Sequence, residues 1–547
     1  MKTSFLVIFT FLFFQRFGPS IITTYSNVTC IERERQSLLL FKQSLIDKYN
    51  LLSTWSGVEC CEWRGVGCDT RNGHVVKLDL RAPVPLKPIM FYEKPLAGCV
   101  SSLSSLRHLD LSSMIWGGKF VDWFNSIIML PSLLTLNLGY SDITIPSIKF
   151  VNFTSLISLD LSLDYINSTI PIWLSNLTSL MHLNLQDNQF HGKIPDFFGM
   201  FRNLASIDLS YNSFDISMPD VLGNLSSLVC LYLTSNKFSG PIPANLGLLL
   251  RLEDLDLSNN QLSGNIPMSL GQLSKPRNLD LSYNSLVGVL SETHFTNLKN
   301  LNGLKLSGNS LVLNFSDQWI APFRLQILYA RSCNIGPHFP NWLQTQTNIQ
   351  RLDLYNTRIR DIIPEWFENI LSHILYMDLP YNQIGGKLPR FHFNVSNERG
   401  DGILKMNSNK FEGSLATFPS NVKVLDLSDN LLSGYVPQTN ETMNPNLYVV
   451  VLSKNRFIGS IPTHLCKVPS IGILDLSQNN FSGWLPRCLG NLINLNVIDL
   501  SNNIITGVVP SSLGSLQGLQ LFHLHNNRFE GDIPLSLQNL TRLVIWI

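Results

Sequence analysis

The stretch LEDLDLSNNQLSGNIPMSLGQLSK, residues 252–275, decides the fold. Leucines alternate with polar residues in its first half, so a short strand can turn Leu255 and Leu257 inward and Asp256 toward water. Asn260 follows at the end of that strand, where its side-chain amide can hydrogen-bond backbone groups that the turning chain leaves unpaired. The stretch therefore predicts one short strand followed by an amide-supported turn.

The pattern LxxLxLxxN recurs over most of the chain. It restarts at Leu156, Leu180, Leu204, Leu228, Leu252 and Pro276, then at Leu301, Leu325, Ile349, Ile374, Asp401 and Val422, and finally at Leu447, Ile471, Leu495, Leu519 and Leu543. The first and last groups step by 24 residues and the middle group by 21 to 27, which indicates a leucine-rich repeat of about 24 residues. Each coil buries its apolar face only against its neighbours, so we predict a solenoid in which every coil adds one parallel strand to a concave sheet.

Composition limits the possible partners. Charged residues make up 14% of the 547-residue chain, against about 25% in an ordinary soluble domain, and the formal net charge is +1. Binding a phosphate backbone needs concentrated positive charge, and no basic cluster supplies it. We therefore exclude nucleic acid as a partner.

The N-terminus and the sequons indicate export. The apolar run FLVIFTFLFF, residues 5–14, is too short to span a membrane, so we predict a cleaved signal peptide over residues 1–26; a buried N-terminal strand is the alternative. Ten Asn-x-Ser/Thr sequons predict glycosylation at Asn27, Asn152, Asn167, Asn176, Asn224, Asn314, Asn394, Asn440, Asn480 and Asn539. We expect a glycoprotein of the secretory pathway.

Export makes the nine cysteines candidates for disulfides. Cys466 and Cys488 lie 22 residues apart in consecutive coils, which predicts a bridge between the coils. A metal site is the alternative, but no nearby His or Cys completes a tetrahedral set, so we predict no metal and no cofactor. Cys333 stands at the Asn position of its coil, as Thr357 does in the next, and we predict that Cys333 is a buried free thiol.

Residues 27–75 have the features of a cap over the first coil. Its characteristic residues are Cys30, Trp55, Cys60, Cys61, Trp63, Gly65, Val66 and Cys68. This set resembles the N-terminal cap of plant extracellular leucine-rich repeat proteins, and the LSGNIP-type coils are similar to the plant repeat subtype. The resemblance implies bridges between Cys30 and Cys60 and between Cys61 and Cys68, whereas the spacing alone allows three pairings. The expected fold is an α/β solenoid, a leucine-rich repeat superhelix with a parallel concave β-sheet and a disulfide-bonded N-terminal cap.

The chain most resembles the receptor-like proteins that include the fungal xylanase receptors and the apple scab resistance homologues. We assign residues 76–547 to the repeats, with the last one incomplete, because TRLVIWI at residues 541–547 stops within a strand pattern. The family pattern would continue through more coils, a C-terminal cap, a spanning helix and a short tail. We therefore expect a C-terminal truncation, whether as a fragment, a shortened gene prediction or a secreted form, although residues 81–105 also depart from regular coils.

Enzymatic chemistry is not indicated. Carboxylates occur on the predicted concave face at Asp160, Asp208, Asp256, Asp280, Asp353, Asp378, Asp426, Asp475 and Asp499. They recur at one repeat position, which favours a scaffold role over a glycosidase pair. His523 and His525 lack further ligands or a nucleophile, and the chain has no phosphate-binding loop, nucleophile elbow or kinase signature. We predict that the protein is not an enzyme.

The remaining functional class is the binding of a ligand on the concave face. Ser, Asp and Asn are expected at the outward positions of most coils, whereas the coils that start between Leu301 and Asp401 differ. Those coils present the candidate ligand-binding residues Lys305, Tyr329, Arg331, Arg351, Tyr355, Tyr376, Tyr381 and Lys405. Tyr and Arg are enriched at binding hot spots, although a long surface can also collect such residues by chance.

Two functions follow from the resemblance. The first is the extracellular ligand-recognition ectodomain of a plant cell-surface receptor-like protein in defence signalling, which would bind a protein, peptide or glycan elicitor and signal through membrane co-receptor kinases. The alternative is a secreted inhibitor of a pathogen cell-wall hydrolase, similar to polygalacturonase inhibitors. Those inhibitors have fewer coils, so the repeat number favours the receptor. It would lie at the extracellular face of the plasma membrane if full-length and otherwise in the apoplast.

Overall fold

The computed structural model describes residues 29–81, 90–91, 102–116, 120–145, 148, 150–389, 402–419, 422–437 and 445–546. The predicted signal peptide, three sequons (Asn27, Asn394 and Asn440) and Cys99 lie outside these residues. The chain divides into two compact units, Met1–Ser141 and Asp142–Ile547, and we describe each by itself. The cap boundary at residue 75 remains a prediction.

The first unit combines helices with a small sheet. Its elements are α1 (Glu32–Gln43), β1 (Leu45–Ile46), a 3-10 turn (Cys60–Glu62), β2 (Val66–Cys68), β3 (Val75–Asp79), β4 (Met90–Phe91), β5 (His108–Asp110), α2 (Phe120–Ile127) and β6 (Thr135–Asn137). Strands β3, β5 and β6 pair in parallel, which begins the repeat pattern, whereas β2 pairs with β3 and β1 with β4 in antiparallel fashion. Helix α1 buries Leu38 and Phe41, as expected for an amphipathic helix that covers the apolar end of a solenoid.

Disulfides and tryptophans hold the start of this unit. Bridges join Cys30 to Cys60 and Cys61 to Cys68. The rings of Trp55 and Trp63 stack with centroids 5.5 Å apart, which fills the small core between the bridges. The cap region therefore depends on covalent links as well as on burial.

The second unit is built on one main parallel sheet. Its strands are β7 (Ser158–Asp160), β8 (His182–Asn184), β9 (Ser206–Asp208), β10 (Cys230–Tyr232), β12 (Asp254–Asp256), β14 (Asn278–Asp280), β16 (Gly303–Lys305), β18 (Ile327–Tyr329), β19 (Arg351–Asp353), β20 (Tyr376–Asp378), β22 (Gly402–Lys405), β24 (Val422–Asp426), β26 (Val449–Val451), β28 (Ile473–Asp475), β30 (Val497–Asp499), β32 (Leu521–His523) and β34 (Ile545–Trp546). Each pairs in parallel with the next in this order. This arrangement confirms the predicted solenoid.

Two further sheets are formed by strands that come after the turn at the end of each main-sheet strand. One contains β11 (Ser239–Gly240), β13 (Gln261–Asn265), β15 (Ser285–Leu290) and β17 (Ser310–Leu313). The other contains β21 (Gly385–Lys387), β23 (Lys410–Gly413), β25 (Leu431–Tyr435), β27 (Arg456–Gly459), β29 (Asn480–Trp484), β31 (Ile504–Gly507) and β33 (Arg528–Phe529). These strands are two to six residues long, and the leucine pattern alone did not predict them.

The convex side consists mainly of 3-10 turns. They span Ile172–Asn176, Asp196–Met200, Asp220–Asn224, Ala244–Leu248, Met268–Gln272, Glu292–Phe295, Asn341–Thr345, Glu365–Phe367, Thr463–Lys467, Arg487–Asn491, Ser511–Ser515 and Leu535–Asn539, and one short helix, α3, spans Glu368–Leu371. Most begin after a proline, whose fixed φ suits the start of a helical turn. The α/β fold class predicts helices on the convex side, and in this unit they are mostly 3-10 turns rather than α-helices.

The repeated asparagines connect adjacent coils. The Asn260 side-chain amide donates to the carbonyls of Leu233 and Leu257, while its oxygen accepts from the amide of Phe238. Where Thr357 replaces Asn, its hydroxyl donates to the carbonyl of Leu354 at 2.9 Å. These bonds satisfy backbone groups that the turning chain would otherwise leave unpaired, and they link each coil to its neighbours.

Among the described residues, no helix has both the length and the apolar character needed to cross a membrane.

Candidate ligand-binding surface

The main sheet of the second unit presents two columns of side chains on its concave face. The first column contains the residue before each strand's buried central residue, and the second column contains the residue after it. Parallel register places Lys305 beside Tyr329, Tyr329 beside Asp353, and Asp353 beside Asp378 in the second column. Adjacent strands lie about 4.8 Å apart, so residues in one column are direct neighbours.

Arg331 is the centre of a charged cluster on this face. Its Nε lies 3.0 Å from Oδ2 of Asp353, and its Nη2 lies 2.8 Å from Oδ2 of Asp378. The guanidinium carbon lies 4.3 Å from the ring centroid of Tyr355, within reach of a cation–π interaction. Tyr376 donates its hydroxyl to the same oxygen of Asp378 at 2.9 Å. Three consecutive strands thereby fix one guanidinium, since Arg331 directly follows β18 and its partners lie on or just after β19 and β20.

Burial and charge alter the titration of this cluster. Burial raises the pKa of the Asp353 carboxyl, although the amide of Tyr355 and the charge of Arg331 act in the opposite direction. Burial also raises the pKa of the Tyr376 hydroxyl, and the charge of Asp378 adds to that effect. The tyrosine therefore remains a neutral hydrogen-bond donor at physiological pH.

The remaining predicted residues surround the cluster. Lys305 forms an ion pair with Asp280 at 3.1 Å. The rings of Tyr355 and Tyr381 lie 5.1 Å apart. Arg351 is exposed and, within the part of the chain that the structure describes, its side chain has no hydrogen bond or ion pair to another residue. Arg351 is thus available to a ligand in a way that Arg331 is not.

An open cavity of about 400 Å³ lies on the same face. Its lining residues are Ser258, Asn259, Asp280, Ser282, Tyr283, Lys305, Ser307, Tyr329, Arg331, Asp353 and Tyr376. The structure therefore brings four of the predicted residues together around one cavity, namely Lys305, Tyr329, Arg331 and Tyr376. The other four predicted residues do not line the cavity; they are Arg351, Tyr355, Tyr381 and Lys405.

The repeated aspartates have a structural role, as the sequence indicates. Oδ1 of Asp256 accepts hydrogen bonds from the amide and hydroxyl of Ser258 at 2.9 and 2.6 Å, and Asp475 and Asp499 repeat the arrangement. Burial and the neighbouring Asp280 raise the pKa of Asp256 to about 6. Asp353 and Asp378 differ because they also bind Arg331, so a purely scaffold role does not describe them.

The expectation of Ser, Asp and Asn at most outward positions is wrong for the first column of the later coils. From β22 onward the first column is aliphatic on six consecutive paired strands, with Ile403, Val424, Val449, Ile473, Val497 and Leu521. All six are half-buried. The signal was present in the sequence as the residue before the buried central residue of each strand.

The cysteines outside the cap have two environments. Cys466 and Cys488 form a disulfide that links two consecutive 3-10 turns. Cys230 and Cys333 are free, and burial raises the pKa of the Cys333 thiol to about 12, which makes it a poor nucleophile. Within the described ranges, the grouping with metal-ligand geometry is Cys30, Cys60 and Cys61, whose sulfurs are all used in disulfides.

Most described sequons are accessible. The side chains of Asn167, Asn224, Asn314, Asn480 and Asn539 are exposed, and those of Asn152 and Asn176 are half-buried. Their glycosylation remains a prediction.

Family comparisons agree with this architecture. The family described as "Leucine rich repeat N-terminal domain" matches residues 31–69. The family described as "Leucine-rich repeat region" matches residues 174–362, and the one described as "Leucine rich repeat" matches residues 469–529. The cap and the coils are therefore recognised separately.

Two similar proteins come from Solanum lycopersicum. Receptor-like protein EIX2 is 36% identical over 175 residues, which is 32% of this chain and 17% of that protein. Receptor-like protein EIX1 is 38% identical over 135 residues, which is 25% of this chain and 13% of that protein. The matches thus span less than a fifth of either relative.

Solved structures extend the likeness over almost the whole chain. The leucine-rich repeat ectodomain of the Arabidopsis receptor kinase HAESA, in complex with an extended IDA peptide hormone, has a TM-score of 0.70 and 27% identity, covering 93% of this chain and 92% of that one. A complex of HAESA with IDA and the co-receptor SERK1 gives a TM-score of 0.70 and 26% identity over the same shares.

Proposed function

We propose that this chain, which is similar to plant leucine-rich repeat receptor-like proteins in its cap and coils, is the extracellular ligand-recognition ectodomain of a cell-surface receptor in defence signalling. The observation that carries the proposal is the cluster around Arg331, fixed by Asp353 and Asp378 beside an open cavity on the concave face. A surface fixed before binding loses little conformational entropy when a ligand arrives.

The concave surface combines a rigid centre with available groups. Arg331 is already paired, so its part is to hold Tyr355 and the two carboxylates in place. Arg351 and Tyr381 are exposed beside it, Tyr381 to 56%, and supply contacts of the kinds that dominate binding energy. The ligand therefore gains hot-spot contacts without reorganising the sheet.

The partners of the similar ectodomains support a peptide or protein ligand. HAESA was solved with a peptide hormone, and also with that hormone and a co-receptor. By analogy, this chain binds a peptide, protein or glycan elicitor and signals through membrane co-receptor kinases. It acts at the extracellular face of the plasma membrane, or in the apoplast as a secreted form, and it is glycosylated at its accessible sequons. No observation favours the hydrolase-inhibitor alternative.

A capture experiment tests this function. The purified chain is immobilised and exposed to the peptide fraction of apoplastic fluid from infected leaves, and bound peptides are identified by mass spectrometry. We expect the variant Arg351→Ala/Tyr381→Ala to lose most of the peptides that the parent retains. Arg251→Ala, an exposed arginine outside the concave columns, serves as the control. Equal capture by all three proteins would contradict the proposal.

A further inference from the structure

The aliphatic first column from β22 to β32 forms a continuous apolar stripe. Its members are Ile403, Val424, Val449, Ile473, Val497 and Leu521, each paired in register with the next. With strands about 4.8 Å apart, the stripe is about 24 Å long. None of these residues belongs to the cluster around Arg331.

The fold does not require apolar residues in this column. The equivalent positions on β7, β9 and β14 are Ser158, Ser206 and Asn278, on strands that pair in parallel in the same sheet. The central residue of each strand, such as Leu474, already supplies the buried side chain. The stripe is therefore additional apolar surface on the water-facing side, which marks an interaction surface.

An aromatic ring widens the stripe on one side. The Tyr448 ring packs so closely on Gly472 that a Cβ at Gly472 would collide with it, and the Tyr448 hydroxyl oxygen accepts a hydrogen bond from Nδ2 of Asn496 at 3.1 Å. The ring remains 36% exposed. Tyr448 and Gly472 directly precede Val449 and Ile473, so the ring borders the middle of the stripe.

Carboxylates border the other side. The second column runs Lys405, Asp426, Val451, Asp475, Asp499 and His523. Oδ2 of Asp499 lies 3.1 Å from Nδ1 of His523. Burial raises the pKa of the Asp426 carboxyl, and the nearby positive charge of Lys405 opposes that rise. Asp475 uses Oδ1 for Ser477, and among the described residues its Oδ2 has no hydrogen-bond or ion-pair partner. One carboxylate oxygen beside the middle of the stripe is therefore available to a cation.

We propose that this stripe docks an extended peptide segment that alternates apolar side chains with basic ones. The inference rests on the proposed function and deepens it by naming the chemistry of the ligand. A strand advances about 3.3 Å per residue, so about seven extended residues cover the stripe. Their apolar side chains pack on the aliphatic column, and a Lys or Arg reaches Asp475.

A second copy of the chain fits this surface less well. A two-fold contact would place the same patch on both sides of the interface, and the carboxylate column would then face its own copy. Asp426, Asp475 and Asp499 would repel their equivalents. A basic partner removes that repulsion, and the single-column width of the stripe suits one extended chain.

Synthetic heptapeptides test the proposal by fluorescence anisotropy on the full chain. The basic probe is Val-Lys-Val-Thr-Val-Lys-Val, the acidic probe replaces Lys with Glu, and the polar probe replaces Val with Ser. We expect the basic probe to bind at least tenfold more tightly than either of the others. No binding of the basic probe, or equal binding of the acidic probe, would overturn the proposal.

Variants locate the binding. Ile473→Ser/Val497→Ser introduces the residue found at this position in β7 and β9, and it should weaken the basic probe at least tenfold. Asp475→Asn should weaken it several-fold and reduce its sensitivity to salt. The matched control is Ile504→Ser/Val508→Ser, in β31 and directly after it, where the two residues are 38% and 60% exposed; this variant should bind as the parent does. Unchanged melting temperatures show that each variant folds.

The outcomes separate this inference from the proposed function. If Arg351→Ala/Tyr381→Ala abolishes capture of apoplastic peptides while the stripe variants change neither capture nor probe binding, the stripe proposal fails and the receptor function stands. If capture is indifferent to every concave variant, the receptor function fails. If Ile473→Ser/Val497→Ser binds the basic probe as tightly as the parent does, the stripe is not the docking site, whatever the result of the capture experiment.

Discussion

Arg331 and Asp378 are 47 residues apart in sequence, yet Nη2 of the arginine lies 2.8 Å from Oδ2 of the aspartate across two coils. Asp353 on the strand between them accepts from Nε of the same guanidinium. The arginine thus neutralises two carboxylates that would otherwise repel each other on adjacent strands. Its first role is to stabilise the concave face, and its effect on a ligand passes through the groups it positions.

Removing this arginine should destabilise the protein. Arg331→Ala leaves Asp353 and Asp378 without their counter-charge, and because Arg331 is still 29% exposed we expect a loss of about 1–3 kcal/mol rather than the larger value of a fully buried pair. Thermal unfolding measures the loss. Arg331→Ala/Asp378→Asn should recover part of it, since one of the two charges is gone. An unchanged melting temperature for Arg331→Ala would show that the cluster contributes nothing to stability.

The raised pKa of Asp256 predicts a pH-dependent stability. Burial and the charge of Asp280 place its pKa at about 6, above the unfolded value of 3.8, so the folded state loses stability as pH rises through this interval and the group ionises. Asp256→Asn keeps an oxygen acceptor for Ser258 without the charge. We expect this variant to be more stable than the parent at pH 7.5, by on the order of 1 kcal/mol, with the difference vanishing near pH 4.

Thermal melts between pH 4 and 8 measure this difference. The exposed Asp196, on a 3-10 turn away from the concave columns, provides the control variant Asp196→Asn. A difference between Asp256→Asn and the parent that does not vary with pH would contradict the assignment.

The bridge between Cys466 and Cys488 should stabilise its two coils. The cysteines are 22 residues apart, and removing a disulfide that closes a loop of that size lowers the free energy of unfolding by about 3 kcal/mol. Cys466→Ser/Cys488→Ser should therefore melt well below the parent, whereas Cys230→Ser, which removes a free thiol, should have little effect. Peptide mapping without reduction identifies the pair directly. Recovery of both residues as free thiols from folded protein would refute this prediction.

Gly65 offers a sharp test of the cap. It has φ of +78°, and a Cβ there would collide with the carbonyl oxygen of Asp79. Gly57 has a similar φ of +83° but nothing within 4 Å of a Cβ, so it carries only the backbone penalty of about 1–2 kcal/mol. We expect Gly65→Ala to lower the yield of secreted, folded protein far more than Gly57→Ala. Equal yields would mean that the close contact with Asp79 is dispensable.

The repeat pattern predicted the architecture because it encodes a local rule. Leucine alternation placed strands such as β12 correctly, and the asparagine position predicted the hydrogen bonds that Asn260 makes between coils. The pattern did not predict that the convex turns are 3-10 or that short second sheets form. Those features depend on how tightly one coil packs on the next, which the leucine spacing does not specify.

The candidate site was only partly predictable. The pattern placed Arg331, Asp353 and Asp378 on neighbouring coils, but recurrence at one repeat position does not separate a scaffold carboxylate from one that binds an arginine. The distances decide between these roles. The aliphatic column was readable in the sequence, yet its continuity from Ile403 to Leu521 became evident only once the strands were paired in register.

Photo-crosslinking shows directly whether the concave face contacts the ligand. A benzophenone amino acid replaces Tyr381, or Tyr435 on the second sheet as a control of similar exposure, and the full chain is irradiated in apoplastic fluid from infected leaves. We expect a specific peptide or protein ligand to become attached at position 381 and not at position 435. Crosslinking at position 435 alone, or equally at both, would contradict recognition on the concave face.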